Sequence, residues 1–328
     1  MKKKMVVAWV RRDQRSELLA QTIGGTAHFI NRGQQGKLWQ APFRYVWQAW
    51  DTWRLLRRER PDIVFVQNPP IFSALVAYLY ARLGGAEFGI DSHTAAFVAP
   101  RWNWALPLHR WLSRRALVTL VPNQSQGDIV QTWDVPYLVL GFTPGEYPPG
   151  EPYPLDGQFS VAVVSTYEAD EPLDVVFQAA ERLPDVDFYV TGDDRKADTA
   201  LVAQKPDNCH LTGYLSYDQY VGLLRGVDAV MDLTTRNHTL LMGGYEAVSF
   251  GVPLITSDWP VLRDYFSLGT VHVPNTVEGV YEGVQRARRD ADRLCEEMPH
   301  LNARLVDEYS QKVERLRSLL KEDGQVSK

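Results

Sequence analysis

Cysteine is nearly missing from this chain: Cys209 and Cys295 are the two in 328 residues. Two thiols build no disulfide framework, so a packed core must hold the fold, and a reducing compartment is expected. Long apolar runs are missing too. The segment Ile71 to Leu83 falls short of the roughly 20 residues that cross a bilayer and is read as a buried helix. MKKKMVVAWV has no signal-peptide apolar region behind its lysines and reads as a basic lead into a strand, which points to a cytoplasmic protein. There is no repeat of fixed period, no low-complexity tract and no cluster with metal-ligand spacing. Asp193-Asp194 stands alone and reads as a turn, so neither a metal nor an organic cofactor is expected.

The length suits two domains of roughly 150 residues each, and 45% hydrophobic with 23% charged residues is a globular composition. The net charge of −5 hides an asymmetry. Residues 1–150 hold 18 Lys/Arg against 10 Asp/Glu, whereas the remainder holds 17 against 30. Nine of the ten tryptophans also fall in the first half, Trp259 being the exception. A basic, Trp-rich half suits an anionic, partly apolar partner. The acidic half would repel a long phosphate backbone, which argues against nucleic acid.

Short β-branched runs alternate with helical stretches along the whole chain, the pattern of parallel sheets covered on both faces. Strands are predicted at Met5–Val10, Ala27–Ile30, Asp62–Val66, Glu87–Ile90 and Leu117–Val121. Helices are predicted at Glu17–Ile23, Phe43–Arg60, Phe72–Leu83 and Ser125–Trp133. Residues 143–158 carry five prolines and three glycines and read as a linker. A second series of strands and helices follows, ending in a helical tail from Val277 to about Lys321 with a break at Pro299. The expected division is 1–142, linker 143–158, and 159–328, with the last helix free to pack back on the first domain. Ligands in such sheets sit at the carboxyl ends of the strands.

Asp232 to Asp264 is the most informative stretch. It reads as a strand end, a polar loop, a Gly-Gly helix start and one carboxylate a turn further on. The first amides of a helix lack internal partners and carry partial positive charge, so Leu240, Leu241, Met242, Gly243 and Gly244 are candidates to receive a phosphate. Glu246 suits a ribose diol, which offers two donors side by side. A solvated glutamate on an ordinary helix is the plain alternative.

The run YLSYDQYVGLLRGVDAVMDL, with Glu246-Ala247 and Phe250-Gly251-Val252-Pro253-Leu254-Ile255, resembles the donor domain of GT-B glycosyltransferases near family 4. Gln67-Asn68-Pro69-Pro70, Ile90-Asp91-Ser92-His93 and Ser165-Thr166 … Asp170-Glu171 … Asp174 are similar to the chitobiosyldiphosphodolichol β-1,4-mannosyltransferases and their bacterial relatives. The resemblance implies an α/β fold of two doubly wound Rossmann-like domains facing across a cleft. It further implies a nucleotide diphosphate sugar, UDP- or GDP-linked, as substrate. Family 4 places two glutamates eight positions apart, and here the first falls on His238. The family's Arg and Lys on the diphosphate are also missing from the loop at Thr166, leaving Arg236 and the helix amides. Both departures favour the inverting relative. Gly192, Gly213, Tyr214 and Leu215 correspond to the region that closes over the base.

Inverting transfer needs a base for the acceptor hydroxyl. Asp91 is the first candidate, with His93 on the same face of an extended segment, and Asp13 is a third. Arg11, Arg12 and Arg15 would meet the phosphates of a lipid-linked saccharide. Trp47, Trp50 and Arg54, with Trp102, Trp104, Trp111, Arg114 and Arg115, mix rings and cations as an anionic headgroup layer would require. One such helix alone reads better as a plain core stripe with solvated arginines; two in one domain make peripheral contact with the inner membrane face the expectation. A nucleotide-sugar 2-epimerase and a non-catalytic partner subunit remain as alternatives.

Overall fold

The computed structural model describes residues 2–32, 41–157 and 159–320. The chain divides into two units, one running to Phe142 and resuming at Tyr309, the other Thr143–Glu308. In the first unit β1 (Lys4–Ala8), β2 (Thr26–Phe29), β3 (Ile63–Asn68), β4 (Glu87–Ser92), β5 (Thr119–Val121) and β6 (Tyr137–Val139) make one parallel sheet. Its strand order is β2-β1-β3-β4-β5-β6. The helices between are α1 (Gln14–Ile23), α2 (Ala41–Glu59), α3 (Ile71–Gly84), the single turn α4 (Ala95–Val98), α5 (Leu106–Ser113) and α6 (Gln124–Gln131).

Local chemistry sets the element ends. Asp13 caps α1 by accepting from the Ser16 amide, and Gly24 closes it at φ 66°. The predicted left-handed cap of α3 is Gly85, at φ 72°. All six residues of β3 are buried, as a strand covered on both faces requires. Phe65 on β3 pairs directly with Gly89 on β4, where a Cβ would stand 2.3 Å from the Phe65 ring. Gly89→Ala should therefore cost about 1–3 kcal/mol by overpacking. An unchanged denaturation midpoint would show that Phe65 can yield.

The second unit contains β7 (Ser160–Val163), β8 (Asp187–Val190), β9 (Cys209–Leu211), β10 (Ala229–Asp232), β11 (Leu254–Ser257) and β12 (Thr270–Val273). They are parallel and ordered β12-β11-β10-β7-β8-β9. Its helices are α7 (Leu173–Ala180), α8 (Thr199–Val202), α9 (Tyr217–Gly226), α10 (Met242–Phe250), α11 (Pro260–Tyr265), α12 (Val277–Arg289) and the long α13 (Ala291–Leu319). Strand order reverses between neighbours β7 and β10, so the loops leaving their carboxyl ends part and open a crevice. Both units are thus doubly wound Rossmann-like sheets with helices around them.

Three local readings change. The proline-rich segment is tied along the second unit: Gly145 donates to Ser249 Oγ at 3.0 Å, Glu151 to the Asp218 carbonyl at 3.0 Å and Asp156 to the Tyr189 hydroxyl at 2.7 Å. Pro299 lies inside α13, and the helical tail breaks at Asp290 instead. Met298, Leu301 and Leu305 keep a buried stripe running through the proline, which outweighs one lost helical bond. The predicted end at Lys321 lies outside the described residues. Past Tyr309, α13 belongs to the first unit, where Leu316 is buried beside Val6, Leu19 and Phe65. Finally, α5 and β6 were not predicted: one sits in a stretch read only for its Trp and Arg, the other is three residues behind Pro136. No described helix is long and apolar enough to cross a membrane.

Candidate functional site

The second unit's crevice is bounded by the loop after β7 and the loop after β10. Four anchors hold the latter at Thr234. Its amide donates to Ser257 Oγ at 2.9 Å and its hydroxyl to Asp170 Oδ2 at 2.7 Å. Its carbonyl accepts from Trp259 Nε1 at 2.7 Å and Asn275 Nδ2 at 2.9 Å. Arg236 follows, half-exposed and paired with Asp170 at 2.8 Å. His238 is partly buried, its Nδ1 2.8 Å from Asn237 Oδ1. Leu240, Leu241 and Met242 then lead into α10.

The amides of α10 are not all bare, as the sequence had suggested. Leu241 supplies no side-chain cap, and the carboxylate of Asp232 does so from the end of β10, accepting the Gly243 amide at 2.8 Å. This explains both glycines. A Cβ at Gly243 would lie 2.6 Å from Asp232 Oδ2, and one at Gly244 would lie 2.6 Å from the Phe266 ring. Burial, and then the nearby charge of Glu246, hold Asp232 well above the usual carboxylate range. An anion at this helix must therefore meet the amides ahead of Gly243, those of Leu240 to Met242.

Glu246 lies a turn into α10, largely buried, and accepts the Tyr220 hydroxyl at 2.6 Å. Burial pushes its carboxyl up to about 7, opposed by that hydrogen bond. Tyr220 was missed from sequence. It sits on α9, whose Ser216–Gln219 capping box fixes the first turn and hence the ring beside Glu246.

The loop after β7 carries the second surprise. Glu171 accepts the Ser165 hydroxyl at 2.6 Å, the Thr166 amide at 3.0 Å, the Thr166 hydroxyl at 2.7 Å and the Tyr167 amide at 2.9 Å. Tyr167 has φ 61°, so successive amides converge into a nest, and the protein's own carboxylate fills it. Thr166 is thereby engaged, contrary to its assignment to the donor. The signal was present in the Ser/Thr- and acid-rich sequence of this loop, read there as a lack of cations and a likeness to the inverting relative. Glu171→Ala should expose these donors, and inorganic phosphate should then raise the variant's melting temperature more than the wild type's. Equal responses would show that the nest does not take anions.

Gly192 and Gly213 stand just beyond the ends of β8 and β9, at φ 108° and 64°. Tyr214 is 83% exposed and Leu215 half-buried, with exposed Tyr217 nearby. An open ring at this strand edge can stack on a base.

In the first unit, Asp91 and His93 stand together at the end of β4, 3.4 Å apart between Asp91 Oδ2 and His93 Nε2. Arg15 joins them: its Nε lies 3.0 Å from both carboxylate oxygens and its Nη2 2.7 Å from Oδ1. Arg15 and Asp91 are both buried. Burial alone would raise Asp91, but the guanidinium and the imidazole together hold it well below the usual range. A carboxylate so stabilised is a poor base, which corrects the assignment of Asp91. His93 keeps a quarter of its side chain exposed and is the member that a substrate hydroxyl can reach. Asp13 accepts the Ser16 amide and hydroxyl on Oδ2 as the cap of α1. Arg15 is no surface cation. Arg11 and Arg12 remain exposed, Arg12 paired with Glu17 at 2.8 Å.

The aromatic residues divide. Trp102 is buried among Tyr45 and Trp104 and so leaves the proposed surface. Trp47, Trp50 and Trp104 are more than half exposed, with Phe43 at 69%. Trp111 is also exposed, under the Arg115 guanidinium at 3.8 Å from its ring centre. Arg110, Arg114 and Arg115 line an open cavity of about 910 Å³ with Trp111, Ile129 and Trp133. Arg54 is exposed on α2.

Comparisons with known proteins agree with this architecture. Comparison with curated protein sequences yields no match. The family described as Glycosyltransferase Family 4 matches residues 5–138, and that described as Glycosyl transferase-like matches residues 174–319. Sucrose-phosphate synthase from Thermosynechococcus elongatus is similar in structure, with TM-score 0.75 and 10% identity over 99% of this chain and 100% of that one. Anabaena HepE in complex with UDP-glucose gives 0.71 and 11%, over 97% and 100%. A structure assigned as UDP-N-acetylglucosamine 2-epimerase from Listeria monocytogenes gives 0.65 and 12%, over 100% and 98%. At such identities the structures speak for the fold, and the two family matches speak for the activity. The chain is a glycosyltransferase of the GT-B fold, with a family 4-type first domain and a glycosyl transferase-like second domain.

Proposed function

We propose that this enzyme is an inverting hexosyltransferase that uses a nucleotide diphosphate sugar and a lipid-linked saccharide acceptor. The observation that carries the reading is the Asp91–His93 pair at the end of β4, a buried carboxylate against a partly exposed imidazole. Inversion proceeds by one displacement: the acceptor oxygen attacks the anomeric carbon, its proton passes to His93, and the nucleotide diphosphate leaves with the bond pair. Asp91 stands beside the imidazole, its Oδ2 3.4 Å from His93 Nε2. In the second unit Glu246 holds the ribose diol, while the amides of Leu240 to Met242, Arg236 and His238 meet the diphosphate. Arg236 is the nearby cation able to offset leaving-group charge once it turns from Asp170. Tyr214 lies where a base would stack. The chemistry needs no metal, because amides and a guanidinium supply the positive potential.

The exposed rings of α2 and the Arg–Trp cavity of α5 and α6 support docking to an anionic membrane at its cytoplasmic face, where the acceptor's lipid would lie. Sedimentation with liposomes tests this. Binding should require anionic lipid, fall with salt, and drop at least several-fold in a Trp47→Ala/Trp50→Ala variant; equal recovery without lipid would leave a soluble acceptor as the better reading. A thermal-shift panel of UDP-, GDP- and dTDP-sugars identifies the donor, since a ligand of the folded state raises apparent stability. No shift with any of them would sink the donor site. The likeness to a 2-epimerase structure favours one rival, in which donor alone is converted to epimer and free nucleotide. Product analysis without acceptor separates the two.

A further inference from the structure

We infer that Tyr220 is a second reader of the donor's ribose. Glu246 takes one hydroxyl of the diol directly and the other through Tyr220, whose oxygen accepts it and whose proton rests on the carboxylate. This rests on the reading of Glu246 as the ribose ligand. The bonding around that carboxylate carries it. Tyr220 donates to Glu246 Oε2 at 2.6 Å, and among the described residues no hydrogen bond reaches Oε1. A phenol that has given its one proton still has lone pairs with which to accept, and no described group donates to the Tyr220 oxygen. The pair therefore offers two neighbouring acceptors, Glu246 Oε1 and Tyr220 Oη, to a ligand with two adjacent hydroxyls. A ribose hydroxyl on Tyr220 extends a chain that ends on the carboxylate, and the bonds of such a chain polarise one another.

Placement supports the assignment. Tyr220 stands a turn into α9 and Glu246 a turn into α10, helices that follow β9 and β10 and pack against each other. Their first turns thus lie at the carboxyl ends of the strands, where ligands of such sheets bind. Tyr217, three positions earlier on α9, shares a face of the helix with Tyr220 and is exposed. With Tyr214 it forms the open aromatic edge for a base, and the ribose of a nucleotide is joined directly to its base. Tyr220 keeps its proton, because burial and then the Glu246 charge raise its phenol well above the usual range. Tyr147, Tyr217 and Asp232 also feel the Glu246 charge, but none of the three hydrogen-bonds to it.

Equilibrium titration of the full chain tests this with UDP, 2′-deoxy-UDP and 3′-deoxy-UDP, and with the same three forms of GDP. A pH of about 9 keeps the Glu246 carboxyl ionised. Wild type should prefer the ribonucleotide of its own base to both deoxy forms by about ten-fold or more. Tyr220→Phe keeps the ring and loses the oxygen, and its melting temperature is read alongside. It should bind the ribonucleotide about three- to ten-fold more weakly. It should also lose the preference over one deoxy form while keeping the preference over the other. Weakening of all three forms by one factor would overturn the inference, leaving Tyr220 as a packing partner of Glu246. Preferences unchanged at both positions would overturn it too. So would preferences lost at both, which would mark Tyr220 as a residue that only holds the carboxylate. The donor reading fails separately: wild type that binds none of the six compounds would remove it, and the inference with it.

Discussion

His93→Ala should lower the rate of sugar transfer by about a hundred- to ten-thousand-fold while leaving the affinity for the nucleotide sugar within a factor of two. The size follows from removing the proton acceptor from a step in which the hydroxyl must lose its proton as it attacks. The selectivity follows from topology, since His93 follows β4 of the first unit and the donor groups belong to the loops after β7 and β10 of the second. Asp91→Asn should cost less in rate, because the imidazole survives. It should cost more in stability, because the buried Arg15 guanidinium would face a neutral amide in place of a carboxylate. Single-turnover kinetics beside equilibrium titration of the donor reads both effects. A His93→Ala enzyme of wild-type rate would place the base elsewhere in the molecule.

Glu246→Gln should make the ligand-free protein more stable and its grip on the donor weaker. Burial holds the Glu246 carboxyl near 7 against an ordinary value of 4.5. Between those pH values the folded chain retains a proton that the unfolded chain has released. Stability therefore falls as pH rises through that window and stays reduced above it. Gln carries no charge to desolvate, so the variant should gain about 2–3 kcal/mol above neutrality and little near pH 4.5. Wild-type donor affinity should improve as pH rises from about 6 to 8, because the ionised carboxylate can accept from both ribose hydroxyls. The variant should bind at least about ten-fold more weakly at pH 8, with a flatter profile. Opposite movements of melting temperature and affinity are the signature. A variant that loses both would mark Glu246 as a structural residue bonded to Tyr220, with no part in the donor site.

Much of this molecule was legible from residue order. β-branched runs separated by periodic helices announced two parallel sheets, and the turn from Leu83 to Ala86 announced a left-handed glycine. The stretch from Asp232 to Glu246 marked the region where the β10 loop opens the crevice. Boundaries missed by a few residues where caps lay outside the periodic pattern, as at α1, which starts three positions earlier than its apolar stripe. Pro299 misled because a local breaker yields to a stripe of buried side chains on either side of it.

The roles of the charged residues were less accessible, since a carboxylate's function depends on what touches it across space. Asp232, Glu171 and Arg15 are each unremarkable in the linear chain. Asp232 caps a helix eleven positions on, Glu171 folds back into a nest five residues behind it, and Arg15 meets Asp91 across seventy-six positions. Periodicity and turn chemistry act between near neighbours, so the order of residues was enough to determine the two doubly wound sheets and the approximate place of the donor loop. Which acid is spent on an amide, which is neutralised by a guanidinium and which faces solvent was decided only when the strands were brought side by side. Electrostatic partnership acts through a few ångströms of space and takes no account of separation along the chain.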